Sequence, residues 1–243
     1  MSGSNRAGSA RERARRAEQE ARRRRDRRIL ILVAVAVVVL LVGGGVGVQA
    51  WRTSRSPDAG PAPAGAGLAP VAVTDGQPLV FGRADAPARI RLYEDFHCPH
   101  CADFEEEFGA TLAAARDQGR ARIEVYPMAF IDQGSFSASN AMACAAEAGF
   151  GPAYYSGLFA NHTLGWSGGQ LIDLAEQVTG GSVPDGFAGC VQNRTHAGWV
   201  ESINAAANAD GVSSTPTLFV GDQRVDLSTL TPESLDQLIA AQQ

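Results

Sequence analysis

Residues 29–51, ILILVAVAVVVLLVGGGVGVQAW, run for 23 positions without a charge. A bilayer core takes about 20 apolar residues as helix, so this stretch is long enough to span, with Trp51 at its far end as an interfacial anchor. Eleven arginines crowd the first 28 residues against only Glu12, Glu18, Glu20 and Asp26. Basic residues flanking a span stay on the cytoplasmic side. This predicts a basic cytoplasmic segment 1–28, one transmembrane helix over 29–51, and everything after it outside the cell. The alternative is a cleaved signal peptide, since Val48-Gln49-Ala50 is an acceptable small-residue cleavage site; the long basic region and the length of the apolar run favour the anchor. The expected location is the cell membrane, single-pass and held by the chain's own helix. An arginine block abutting a span is topogenic, so no nucleic-acid partner is expected.

From residue 52 to 77 the composition shifts to SPDAGPAPAGAGLAPVAVTDG and its flanks. Such a stretch is too poor in large apolar residues to pack and reads as a tether, with a coil-like reach of roughly 30 Å. The folded domain is then 78–243.

Within it, Ile90 and Leu92 share one face of a short strand, about 88–93, with Arg89 and Arg91 on the other. Phe104, Phe108, Leu112 and Ala115 recur at helical spacing between Cys98 and about Gln118, and Gly119 stops the helix. Residues 121–128 read as a second strand, which gives a βαβ unit. An Ala-rich helical stretch follows: 137–148, about 153–161, 170–178, and 184 to about 207 as one helix. Thr217–Val220, a Gly221-Asp222 turn and a returning strand at 224–227 predict a hairpin. Thr231 as N-cap with Pro232 at the first helical position opens a last helix. Glu105, Glu106 and Glu107 are read as a solvated helix face.

There are four cysteines, at 98, 101, 144 and 190. In FHCPHC, residues 96–101, two histidines and two cysteines invite a zinc reading. Structural zinc needs a second ligand pair at defined spacing, which is lacking, and four side chains at the start of a helix do not converge on one ion; no metal is expected. A redox reading accounts for each residue. Cys98 at a helix N-terminus sits among unpaired N–H groups and the positive end of the helix dipole, which favour thiolate. Pro99 suits the first helical position. His100 is expected to favour the anion from beside the sulfur, and Cys101, one turn in, to be the buried resolving thiol. Three pairings of the four cysteines are possible. The simplest partition leaves Cys144 with Cys190, closing a loop of about 47 residues worth on the order of 4 kcal/mol; two buried free thiols are the other reading.

Cys98-Pro99-His100-Cys101 after a strand, a helical insertion, and Thr215-Pro216 opening a late strand together resemble the thioredoxin-fold disulfide oxidoreductases of the DsbA type, in the membrane-anchored form common in actinobacteria. The resemblance covers about Val80 to the C-terminus. It implies an α/β thioredoxin fold with an inserted helical subdomain at about 134–207, preceded by the transmembrane helix. It further implies a cis Pro216, a substrate contact through Thr215, and no cofactor. The implied activity is donation of the Cys98–Cys101 disulfide to reduced exported proteins, with reoxidation by a quinone-linked membrane partner of the DsbB or VKOR type. Many relatives carry an acid six positions before the first cysteine, where it relays the proton of the buried thiol; here that position is Leu92, and Glu94 and Asp95 are the nearer candidates. A reductase or isomerase of the same fold, and a chaperone-like or metal-carrying module without catalysis, are the alternatives.

Overall fold

The computed structural model describes residues 37, 47, 48, 50–52, 54–57 and 70–242. The chain divides after Trp51 into two units. In the first, the described positions 37, 47, 48, 50 and 51 are helical. Among the described residues no helix is long and apolar enough to cross a membrane; the basic segment 1–28 and nearly all of the span expected over 29–51 lie outside them.

In the second unit five strands form one sheet in the order β1-β3-β2-β4-β5. They are β1 (Leu79–Phe81), β2 (Ala88–Glu94), β3 (Ala121–Pro127), β4 (Thr217–Val220) and β5 (Gln223–Arg224). β2 and β3 run parallel, with Leu92 opposite Val125, because α1 (Pro99–Asp117) crosses between them. β4 returns antiparallel on the other side of β2, with Tyr93 opposite Thr217. That register sets the site: residues 215 and 216, just ahead of β4, fall beside the turn that follows β2 and carries Cys98.

Between β3 and β4 lie α2 (Gln133–Glu147), α3 (Gly151–Ala160), α4 (Gly168–Val178), α5 (Phe187–Gln192) and α6 (Ala197–Ala209), and α7 (Pro232–Ala240) closes the chain. The expected helical insertion is therefore present. One buried core joins sheet and insertion, running through Ile90, Leu92, Phe104, Leu112, Met142, Tyr154, Leu174 and Ile203.

Several local expectations are corrected. The tether expected over 52–77 is packed onto the domain at both ends: Gln170 Nε2 donates to the Arg52 carbonyl at 2.8 Å and Gln177 Nε2 to that of Pro57 at 2.9 Å. At the other end the Gly76 N–H donates to Ser202 Oγ at 2.8 Å. Positions 58–69 lie outside the described residues. The single helix expected from 184 is two, because Arg194 takes a left-handed conformation, φ 51°, between α5 and α6. The returning strand stops at Arg224, since Asp226 Oδ1 accepts from Ser228 N and Oγ and bends the chain away. α2 begins four residues early, capped by Asp132, which accepts from Ser135 N at 3.0 Å. β1 has no counterpart among the expected strands; its Leu79 and Phe81 face the core opposite Val125 and Ile123.

Candidate active site

The chain leaves β2 through Glu94 and Asp95 and turns into α1. Cys98 is the N-cap of α1 with an extended backbone, and Pro99 opens the helix where its missing N–H has no partner to lose. Cys98 and Cys101 are free thiols. Cys98 keeps 7 % of its surface, while Cys101, one turn deeper, is closed off from solvent. Only Cys98 is open to an incoming sulfur.

Across from it, the Thr215–Pro216 bond is cis, and Cys98 Sγ lies 3.7 Å from the Thr215 carbonyl oxygen. The Cys98 thiol is lowered to about 5 from its ordinary 9.0. The largest cause is a hydrogen bond from the Cys101 thiol. Burial opposes it, and the Thr215 side chain and the main-chain N–H groups of Cys101 and His100 add to it. Cys101 moves the opposite way, far above the ordinary thiol range, because it is desolvated, donates to Cys98 and faces the charge of Glu94. The two thiols are thus split: an anion at the mouth and a held proton behind it.

His100 departs from expectation. Its ring is 84 % exposed and lies 3.7 Å from Asp103 Oδ2, since the second helical position projects outward. What His100 supplies at the sulfur is its main-chain N–H. The buried imidazole is that of His97, whose Nδ1 sits 2.6 Å from Asp132 Oδ1. Burial lowers its pKa against the pull of Asp132. With one ring bound to α2 and the other in solvent, the two histidines do not converge on a metal.

The two candidate relay acids separate clearly. Asp95 is fully buried and its carboxylate is filled: Oδ1 accepts from His97 N at 2.9 Å and Ser135 Oγ at 2.6 Å, and Oδ2 from Phe130 N at 3.1 Å and Ile131 N at 3.3 Å. Four donors occupy the four acceptor positions of a carboxylate. That leaves no oxygen for a sulfur proton, so Asp95 is an anchor and the relay expectation is corrected for it. Glu94 is equally buried, but only its Oε2 is engaged, by the Tyr155 hydroxyl; Oε1 has no partner among the described residues. Burial raises the Glu94 carboxyl well above the usual range.

Glu105 is not on a solvated face. It stands four residues after Cys101, on the same side of α1, half-buried, and its Oε1 lies 2.9 Å from the Tyr155 hydroxyl. Glu106 and Glu107 are exposed. The i,i+4 spacing from Cys101 was a signal available in the sequence; nothing local pointed to Tyr155. Away from the dithiol, Cys144 of α2 and Cys190 of α5 form a disulfide.

A dithiol at a helix N-terminus, one sulfur anionic and the other protonated, facing a cis-proline loop, defines a thioredoxin-fold protein built for thiol–disulfide exchange. Residues 74–241 match the sequence profile described as Thioredoxin, and the chain belongs to that family. It is similar in fold to the MdbA thiol-disulfide oxidoreductase of Actinomyces oris, at 23 % identity and TM-score 0.61 over 77 % of this chain and 96 % of that one. The Corynebacterium diphtheriae MdbA matches at 21 % identity and TM-score 0.58, over 72 % of this chain and 93 % of the other. DsbA of Mycobacterium tuberculosis in its reduced form matches at 19 % and 0.55, over 69 % of this chain and all of the other. No curated protein matches.

Proposed function

We propose that this chain is an extracytoplasmic thiol:disulfide oxidoreductase that donates its Cys98–Cys101 disulfide to reduced exported proteins. The observation that carries the reading is the split between the two thiols. Whatever stabilises the Cys98 thiolate stabilises the reduced dithiol, which makes the disulfide form the stronger oxidant and Cys98 the better leaving sulfur. A substrate thiolate attacks Cys98, and the Cys98–Cys101 bond breaks with its electron pair going to Cys101. A second substrate thiolate then attacks its partner sulfur in the mixed disulfide and expels Cys98. The substrate is oxidised by two electrons and the dithiol is left reduced. Thr215, beside the sulfur, is the residue against which the substrate backbone lies.

The uncharged run at 29–51 behind eleven arginines supports a single-pass anchor in the cell membrane with the catalytic domain outside. Reoxidation falls to a quinone-linked membrane partner of the DsbB or VKOR type. The test incubates the oxidised chain with a reduced multi-cysteine protein. Native disulfides form with the wild type and not with Cys98→Ser; equal yields from both would refute the oxidase role. The reduction potential of the dithiol separates this reading from a reductase or isomerase.

A further inference from the structure

One hydroxyl proton cannot serve two carboxylates. Tyr155 places its single O–H between Glu94 Oε2 and Glu105 Oε1. If it donates to one, the other is left facing the phenol oxygen and needs a proton of its own to make that contact a hydrogen bond. In a buried setting two ionised carboxylates sharing one donor are strongly disfavoured. The Glu94–Tyr155–Glu105 set therefore holds one proton beyond the phenol's own, and shifting both bonds together carries it from one end to the other.

The ends lead in useful directions. Glu94 Oε1, buried without a partner among the described residues, belongs to the carboxyl that is coupled to the dithiol: Cys98 raises it, and it in turn raises Cys101. Glu105 is half-buried and lines a cavity of about 40 Å³ with Tyr155, Ser156, Gly109 and Arg116, roomy enough for about one water. Gly109 keeps that end open: a Cβ there would stand 2.9 Å from Glu105 Oε2. Phe96 and Phe159 pack edge-on or tilted around the Tyr155 ring and one another and fix it, with ring centroids 5.9 and 5.0 Å from that of Tyr155.

We propose that Tyr155 and Glu105 complete, with Glu94, a proton relay that connects Cys101 to the surface of the domain. The proposal rests on the exchange reading above. When a substrate thiolate opens the disulfide, Cys101 departs as a thiolate with the bond's electron pair and takes the Glu94 proton. Glu105 then takes a proton from solvent and passes it to the phenol oxygen while the Tyr155 hydroxyl donates its own to Glu94, which returns the set to one proton beyond the phenol's. Reoxidation runs the relay outward. Tyr155 and Glu105 act through Glu94 and are positioning residues.

Among the described residues, the charged and titratable groups that act on the set or line its cavity are Cys98, Cys101 and Arg116, all from α1 or its cap. Arg116 is tied through Nε to Asp117 Oδ1 at 2.8 Å. The faces that β1, β2 and β3 present to the cavity are Phe81, Leu92, Ile123 and Val125, which do not titrate.

The experiment follows the rate at which a cysteine-containing peptide opens the disulfide of the oxidised full chain, across pH 5 to 8 and in light and heavy water. Tyr155→Phe and Glu105→Gln are expected to slow opening on the order of tenfold or more, to flatten the pH profile and to lose the solvent isotope effect, with Glu106→Gln unchanged. Infrared spectroscopy of the wild type is expected to show a protonated carboxyl at neutral pH that Glu105→Gln removes or shifts. Unaltered pH profiles in both variants, or no such carboxyl band, would overturn the relay. A wild type that exchanges no disulfide would instead overturn the functional reading, and the infrared band would still decide whether the proton is held.

Discussion

Asp95 Oδ1 accepts the Ser135 hydroxyl at 2.6 Å and so fastens the turn before Cys98 to the first turn of α2. The same carboxylate holds the main-chain N–H groups of His97, Phe130 and Ile131. Asp95→Ala leaves four donors without their acceptor, and a buried unsatisfied donor costs about 1–3 kcal/mol. The variant is expected to lose at least about 3 kcal/mol in urea unfolding, with Asp95→Asn intermediate. A loss confined to activity, with stability unchanged, would instead make Asp95 a chemical participant.

Gly134 leaves room for the His97 ring. A Cβ there would stand 2.1 Å from His97 Cε1 and 3.0 Å from the Gly165 carbonyl oxygen, and the ring is held at Nδ1 by Asp132. Gly134→Ala is expected to cost about 1–3 kcal/mol by overpacking and to disturb the turn holding Cys98. The check is denaturant unfolding together with the alkylation rate of Cys98.

The Cys144–Cys190 link spans 46 residues and joins two helices of the insertion. Replacing both cysteines by alanine is expected to lower stability by about 2–5 kcal/mol. The Cys98 thiol should titrate as before, because the link touches no group at the dithiol. Calorimetry and thiol titration on the one variant check both halves.

The reduced chain gains stability from pH that the oxidised chain does not. Cys98 is lowered to about 5 in the fold against 9.0 for an ordinary thiol, so its contribution is complete above pH 9 and is lost as pH falls through 5. Cys101 is pushed upward and stays protonated across this window. Unfolding free energy of the reduced form minus that of the oxidised form is therefore expected to rise between about pH 5 and 9, by up to about 1.4 kcal/mol per pH unit. Below pH 5 it should be flat. Equilibrium unfolding of both forms over that range measures it.

The sequence carried the βαβ frame, the dithiol, the Thr215–Pro216 partner and the insertion, because each is marked by local chemistry: alternating apolar residues, a proline at a helix start, cysteines at fixed spacing. It did not carry what depends on distant segments meeting. Glu105 looks solvated among three consecutive glutamates until Tyr155, fifty positions on, covers it. Asp95 reads as a proton carrier until its four donors arrive from β3's exit loop, α2 and its own turn. His100 reads as the histidine beside the sulfur because sequence adjacency does not give helix direction; the fold turns it outward and buries His97 instead.

Every step of the exchange depends on the fold holding Cys98 as a thiolate. The direct measurement is the ultraviolet absorbance of the thiolate in the reduced chain as pH is raised, with Cys98→Ser as the blank. A transition at about 5 that the blank lacks is the predicted result, and one near 9, the value of an unperturbed thiol, would contradict it.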